Sequence, residues 1–298
     1  MNNCPGSAET RVTDVLPAAR PGEVLFARYA YPPNELGYCG QGDGSEWLEA
    51  ASRGVAGRSA GAPAGADQSL AERARSFDGA WPYLTFLAEV AGIADPLDPL
   101  VTEAYWVGNR LLDNVDPADF ADRARQWFGS QLGADWSCLT GGSPSALPHH
   151  SFHVLAIYPW MGFLRRSGSP QALEVLDRCR IRWGRVIGVH GDFAEVRSRS
   201  LVWDGAALTL GPPRAESVRW AADGRSLLPE VHDGQWVSLH WGWVCDVLAG
   251  TQLAALRRCT ARQLAVTNRA GGTMSDRAGA DNYHGPKMAP KIANGSAC

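Results

Sequence analysis

At 298 residues and 45% hydrophobic content the chain is long enough for about two packed domains, which excludes disorder throughout. A formal charge of −3 gives no general electrostatic reason to expect a nucleic-acid or anionic-membrane partner. No apolar run approaches the roughly 20 residues that span a bilayer. Met1 to Arg20 lacks the basic start and apolar centre of a secretory signal, so a cytoplasmic protein is expected. The seven cysteines, at 4, 39, 138, 179, 245, 259 and 298, are odd in number and contain no C-x-x-C pair, so they read as reduced thiols rather than a disulfide framework.

Residues 1–20 read as a flexible N-terminus and 21–177 as an α-helical domain. The run Tyr31-Pro32-Pro33-Asn34-Glu35-Leu36-Gly37-Tyr38-Cys39-Gly40 reads as a loop punctuated by Pro and Gly and dense in aromatic groups. It has two readings: a recognition surface, with Cys39 as a second ligand if the two domains meet, or a rigid turn that packs Tyr38 into the helices. Ser52 to Asp67, rich in Gly, Ala and Ser, is expected to be a mobile loop.

Apolar residues recur at helical spacing most clearly from Leu100 to Val115, through Val101, Ala104, Tyr105, Gly108, Leu111 and Leu112, which predicts one amphipathic helix. Shorter helical signals cover Ser69 to Val90, Phe120 to Leu132 and His150 to Arg166. Asp116-Pro117 and Ser169-Pro170 read as helix starts. A last helix carrying Leu173, Val175 and Leu176 runs almost into Cys179. Within this half, His149 with His153, or His150 with His153, would put two imidazoles on one helical face, as metal-binding helices do. No glutamate lies between them, so the metalloprotease pattern is absent, and structural or capping roles stand ahead of nickel or zinc binding.

After Cys179 the rhythm changes to short segments rich in Val, Trp and Leu. They are separated by His190-Gly191-Asp192, Asp204-Gly205, Ala222-Asp223-Gly224 and Asp233-Gly234. The fold class is therefore α+β, an N-terminal all-α domain followed by a small antiparallel barrel or sandwich. Its interior candidates are Ile181, Val186, Val189, Val196, Val202, Val218, Val237 and Leu239. A helix from Val244 to Val266 closes this module, which spans 178–267. Residues 268–298, with few large apolar side chains, are expected to be a disordered tail. Of twelve tryptophans, Trp81, Trp106, Trp127 and Trp160 fall on helical stripes and read as core, whereas Trp236, Trp241 and Trp243 crowd one strand and its exit, where a docking face would favour them.

Two stretches of this second half resemble the HypC/HupF-type hydrogenase-assembly chaperones. One is the opening Cys179, Ile181, Gly184 and Val186. The other is Pro229-Glu230-Val231-His232-Asp233-Gly234-Gln235-Trp236-Val237-Ser238-Leu239-His240-Trp241-Gly242-Trp243, which is similar to the family's Pro-Glu-Val, Gly-Asp-Tyr-Val and Val-His-x-Gly-Phe run. The resemblance covers residues 178 to 266. It implies an OB-like barrel whose cysteine thiolate transiently holds iron carrying carbonyl and cyanide ligands. The implied partners are a maturation scaffold protein and the [NiFe] hydrogenase large subunit. Cys179 would be the iron ligand, His240 would act near the sulfur or at the docking face, and Trp183, Gly184, Trp236, Trp243, Tyr38 and Cys39 are the further partner-contact candidates. The chain differs from the family in having a long domain ahead of the cysteine, Trp183 where a proline is usual, Gln235 where an aspartate is usual, and a longer stretch between Asp204 and Leu228. The N-terminal half, through Leu25 to Gly40 and Pro148 to His153, is also similar to an uncharacterised actinobacterial family found near [NiFe] hydrogenase genes.

Two other classes stay open. An OB-type barrel with Trp-rich strands would stack single-stranded nucleic acid, with Arg180, Arg182, Arg185, Arg197 and Arg199 as local positive charge, although the acidic balance argues against it. A hydrolase using a histidine-bound metal is the other. No Gly-x-Ser-x-Gly, P-loop or Gly-x-Gly-x-x-Gly motif supports nucleophilic or nucleotide chemistry.

Overall fold

The computed structural model describes residues 21–38, 44–56, 70–129 and 146–272. Cys39, the expected flexible start, most of the Ser52-to-Asp67 segment, residues 130–132 and the tail beyond Gly272 lie outside them.

Helix α1 (Pro21–Glu35) has no solvent face to speak of: Phe26, Ala27, Tyr29, Ala30 and Tyr31 are all buried, as are both prolines. A helix apolar on all sides must be enclosed. Helices α2 (Ser45–Ala56), α3 (Leu70–Arg75) and α5 (Pro99–Trp106) pack on it, and so do two strands of the sheet. The segment expected to be a loop from Tyr31 is thus helical to Glu35. It ends in a Schellman motif, in which the Tyr38 N–H donates to Pro33 O and the Gly37 N–H to Asn34 O, both at 2.9 Å, with Gly37 at φ +72°.

The Ser69-to-Val90 signal resolves into α3 and α4 (Trp81–Ala91) with a turn between them. The helix expected from Leu100 to Val115 stops at Trp106. Gly108, at φ +95°, breaks it, and the Asn109 side chain caps a 3-10 turn over Arg110–Asn114. A Cβ at Gly108 would stand 2.7 Å from Cys259 Sγ of the last helix, so the break is where the Gly108 backbone lies against that side chain. Both expected N-caps are present: the Asp116 carboxylate accepts the Ala118 N–H at the head of α6 (Pro117–Phe128), and Ser169 Oγ accepts the Ala172 N–H at the head of α9 (Pro170–Cys179). Between them, α7 (His150–Phe152) widens into a π-turn (His153–Ile157), breaks at Tyr158-Pro159 and resumes as α8 (Trp160–Ser167), so His150 to Arg166 is not one helix.

The second half is a mixed sheet with two short hairpins. In chain order its strands are β1 (Arg182–His190), β2 (Phe193–Ser198), β3 (Leu201–Trp203), β4 (Leu208–Leu210), β5 (Arg214–Arg219), β6 (Ala221–Ala222), β7 (Arg225–Ser226), β8 (Trp236–His240) and β9 (Trp243–Val247). Five strands pair in the order β1-β2-β5-β9-β8 and β8 returns to β1, all antiparallel except for one parallel bridge, Arg219 to Trp243. The four turns read from the sequence fall between or just before strands. Val186, Val196, Val218, Val237 and Leu239 fill the interior with Val244, and Val189 packs against them. Val202 does not: it is 43% exposed on the β3–β4 hairpin. Ile181 belongs instead to a larger cluster that runs from Phe26 and Trp106 through Trp243 to Leu256, so helices and sheet share one core across residue 178.

Helix α10 (Gly250–Gly272) starts later and ends later than expected, because Val244 and Val247 are strand residues. Asn268, expected in the tail, receives the Leu208 N–H on Oδ1 and donates from Nδ2 to Leu208 O, both at 2.9 Å, which ties the helix to β4. Among the described residues no helix is long and apolar enough to cross a membrane.

Gly184 is buried in β1, and a Cβ there would lie 2.2 Å from Val196 Cγ1 on β2. Gly184→Ala is expected to destabilise the fold by about 1–3 kcal/mol through overpacking. In a urea-denaturation double-mutant cycle, Val196→Ala is expected to relieve part of that cost, and strictly additive effects would contradict this packing account.

Candidate functional site

Three donors from separate elements meet beneath the helices. Cys179 is the last residue of α9, His150 the first of α7, and His240 the last of β8. One ligand atom of each lies within 4.8 Å of the other two, and all three residues are buried. The β8–β9 connection sets His240 in place. Trp241 and Gly242 form a two-residue turn with both φ angles positive, +49° and +81°. A tryptophan in that region is strained. It is held there by its N–H donating to Arg178 O at 3.0 Å and by the Tyr38 ring stacked on it at 4.0 Å.

The His240 ring is oriented by α1. Its Nδ1 lies 2.8 Å from Tyr29 O, and a carbonyl only accepts, so Nδ1 carries the proton. In the neutral ring, Nε2 therefore keeps its lone pair, and that atom is buried with no hydrogen-bond partner. The Cys179 carbonyl lies near enough to bear on its protonation but outside hydrogen-bonding geometry. Tyr29 O is available for a reason written in the sequence. An α-helical carbonyl is met by the N–H four residues on, and that residue is Pro33, which has none. Tyr29 Oη reaches Ser238 Oγ at 2.8 Å and Arg28 reaches Asp246 at 3.0 Å, so three consecutive contacts dock α1 on β8 and β9.

Cys179, His150 and His240 line a cavity of about 230 Å³ whose walls include Trp106, Tyr105, Phe77 and His153, with Tyr38, Ser76, Asp78 and Tyr158 less buried around it. Trp106 Nε1, His153 Nε2 and His240 Nε2 all belong to lining residues, and all three are buried polar atoms without a partner. A native interior seldom leaves such atoms unmet, and three around one space mark it as a place for a ligand. One thiolate and two imidazoles suit a soft or borderline transition metal. A tetrahedral centre with bonds of about 2.1 and 2.3 Å sets donors about 3.6 Å apart, so closure needs shifts of up to about an ångström, and His150 Nε2 would have to leave the Cys179 carbonyl that it meets at 2.8 Å.

Of the residues singled out in the sequence, Cys179, His240 and His150 converge. His153 lines the same cavity, its Nδ1 3.0 Å from Tyr83 Oη, but it is not among the three clustered donors. His149 turns away to cap α7, accepting the Ser151 N–H at 3.1 Å. Tyr38 packs on Trp241 at the rim. Gly184, Trp243 and His240 are buried rather than presented on a surface: Trp243 meets Tyr31 edge-on at 5.0 Å and donates to Glu35 at 3.2 Å. Trp183 and Trp236 are half-buried and hold Arg257 of α10 over their rings at 5.7 and 4.9 Å. Three of the five arginines proposed as a basic patch are used internally. Arg180 pairs with Asp177, Arg182 with Glu216, and Arg199 donates to Leu210 O and Gly211 O.

Sequence reasoning missed Tyr105 as a site residue and placed Trp106 only in a core stripe. Tyr105 Oη lies 3.1 Å from His150 Nδ1 and donates to Gly79 O at 2.7 Å, while the Trp106 ring stands 4.6 Å from His150. Both lie on an apolar stripe that looks the same whether it faces core or cavity.

The chain belongs to a family of unknown function, DUF6390, whose model matches residues 18–273. No curated protein and no solved structure matches it.

Burial pulls His149 to about 3, His150 to about 4 and His153 to about 3, with the nearby His150 adding to the effect on the other two; His240 falls well below the usual range for the same reasons. In the unfolded chain each titrates near pH 6.5. Above that pH neither state binds the proton. Below it the unfolded state takes up protons that the folded state refuses, so stability falls as pH drops toward 4, by about 2 kcal/mol per ring at pH 5. The urea midpoint of the metal-free chain is therefore expected to fall steeply between pH 6.5 and 5, and a flat midpoint would contradict burial of these rings in neutral form.

Proposed function

We propose that this protein is a cytoplasmic, non-enzymatic accessory protein of [NiFe] hydrogenase maturation, which carries the iron carbonyl–cyanide unit as cargo on Cys179. The observation that carries this reading is the meeting of Cys179 and His240. The two residues lie 61 positions apart, were singled out only through the HypC/HupF-type resemblance, and have ligand atoms within 4.8 Å of each other in a cavity. Low-spin iron with strong-field ligands is a soft centre suited to thiolate sulfur, and a carrier needs few protein bonds so that its cargo can leave.

The surroundings support the same reading. The unmet Nε2 of His240 is a second donor whose tautomer is already set from behind, as metal-binding imidazoles require. The unmet Trp106 Nε1–H is a donor of the kind a cyanide nitrogen accepts. The ring of five strand pairings supports an OB-like barrel, with Gly184 where interior packing admits no Cβ. The hydrogenase large subunit and a maturation scaffold protein are the partners this reading calls for.

Anaerobic purification from the host, wild type beside Cys179→Ala, tests the proposal by infrared spectroscopy in the carbonyl and cyanide stretching region. Bands present in the wild type and absent from the variant are expected. A hydrogenase subunit retained without bands would leave an assembly role and remove the cargo, and neither bands nor subunit would overturn the reading.

A further inference from the structure

The neighbours of the His150 ring fix where its proton sits. Nε2 lies 2.8 Å from Cys179 O, and Nδ1 lies 3.1 Å from Tyr105 Oη, whose hydroxyl also reaches Gly79 O at 2.7 Å. A carbonyl can only accept, whereas a phenol can donate. With the ring proton on Nδ1, the Nε2 lone pair would face the lone pairs of Cys179 O at hydrogen-bond distance. With the proton on Nε2 the carbonyl is met, and the bare Nδ1 faces a hydroxyl that turns between it and Gly79 O. The second arrangement sets no two lone pairs against each other, so Nε2–H donates to Cys179 O. Both ring nitrogens are then engaged, and His150 belongs to the cluster without being a ligand in it.

The carbonyl it meets has a particular place. Cys179 ends α9, and the last four carbonyls of an α-helix have no partner within it. Arg178 O is met at 3.0 Å by the N–H of Trp241, the residue after His240, and Cys179 O is met by His150. The helix end that carries the thiol is thus tied on one side to the turn after β8 and on the other to α7. Cys179 O also lies near enough to His240 to bear on the protonation of that ring. A proton on His240 Nε2 would find an acceptor there, and Nε2 would no longer present a lone pair. Two contacts oppose that outcome: Tyr29 O takes the Nδ1 proton at 2.8 Å, and His150 occupies the competing carbonyl. The buried Nε2 of His240 has no hydrogen-bond partner, as this division requires.

We propose that His150 is the positioning residue of this centre: by donating from Nε2 to Cys179 O it fastens the end of α9 and keeps that carbonyl from His240, so that Cys179 Sγ and His240 Nε2 both stay available to the cargo. The proposal rests on the carrier reading for those two ligands and adds that a third residue sets them without touching the metal. The helical region then prepares both ligands, α1 through Tyr29 O behind His240 and α7 through His150 behind Cys179.

Two variants of the full-length protein, compared with the wild type, test this. His150→Leu removes the donor, and His150→Gln keeps an N–H that can reach Cys179 O. In metal-free protein labelled with 15N-histidine, the imidazole nitrogen shifts are expected to place the His240 proton on Nδ1 in the wild type and in His150→Gln, and to move it toward Nε2 in His150→Leu. Cobalt(II), titrated under anaerobic reducing conditions, is expected to show sulfur-to-cobalt charge transfer in all three. His150→Leu is expected to bind it about 10–100-fold more weakly, the range for loss of an outer-shell partner, with affinity recovered in His150→Gln. A merely structural role would lower the melting temperature of His150→Leu and leave tautomer and affinity unchanged, which would overturn the positioning role while leaving iron carriage on Cys179 to the infrared test. His150→Gln as weak as His150→Leu would also overturn it. If His150→Leu does not fold, the wild-type tautomer of His150 decides: a proton on Nε2 is expected, and one on Nδ1 would overturn the proposal. Infrared bands that survive Cys179→Ala would overturn the carrier reading itself.

Discussion

Much of this site depends on one hydrogen bond that a proline makes available. Pro33 deprives the Tyr29 carbonyl of its helical partner, and His240 Nδ1 takes the vacant place at 2.8 Å. That single contact does two things. It fastens α1 to the last residue of β8, alongside the Tyr29–Ser238 and Arg28–Asp246 contacts, and it commits the ring proton to Nδ1 so that Nε2 enters the cavity as a bare lone pair. A helix without the proline would satisfy Tyr29 O internally and take this acceptor away from His240 Nδ1.

Around this contact the chain has built an aromatic enclosure. Trp106 touches Phe26, Tyr29, Tyr105, His150 and His240, each at a ring-centroid separation under 6 Å, and Tyr38 covers Trp241 at the rim. Burial makes all these imidazoles poor bases, which keeps them available as metal ligands at neutral pH instead of charged. The same burial makes unsatisfied polar atoms expensive. The cost of keeping Trp106 Nε1, His153 Nε2 and His240 Nε2 unmet is what argues for a ligand in the space between them.

The sequence disclosed the site more fully than the elements around it. Cys179 and His240 came together through the HypC/HupF-type resemblance, and His150 was legible because imidazoles three or four apart on a helix are a recognisable ligand pattern. Local spacing pairs His150 with His153, whereas the fold brings one of its ring nitrogens within 4.8 Å of ligand atoms of Cys179 and His240 on other elements. The strand turns and the Asp116 and Ser169 caps were legible because each is a local event of a few residues. Boundaries failed where tertiary contact overrode local pattern. Gly108 breaks an otherwise continuous stripe because Cys259 lies against it, Pro33 sits inside a helix where a distant histidine takes up the carbonyl its missing N–H leaves open, and Asn268 stays helical because it pairs with Leu208. The Trp241-Gly242 turn was invisible for a related reason: tryptophan seldom adopts a positive φ, and only its stacking with Tyr38 and its bond to Arg178 hold it there.

The central claim is that the buried sulfur and imidazole nitrogen at the base of the cavity hold a metal. X-ray absorption at the iron edge of protein purified anaerobically from its host tests it most directly. The account predicts iron with one sulfur and at least one imidazole nitrogen among its nearest neighbours, with the sulfur lost in Cys179→Ala. Iron ringed only by nitrogen and oxygen, or a protein without iron, would contradict it.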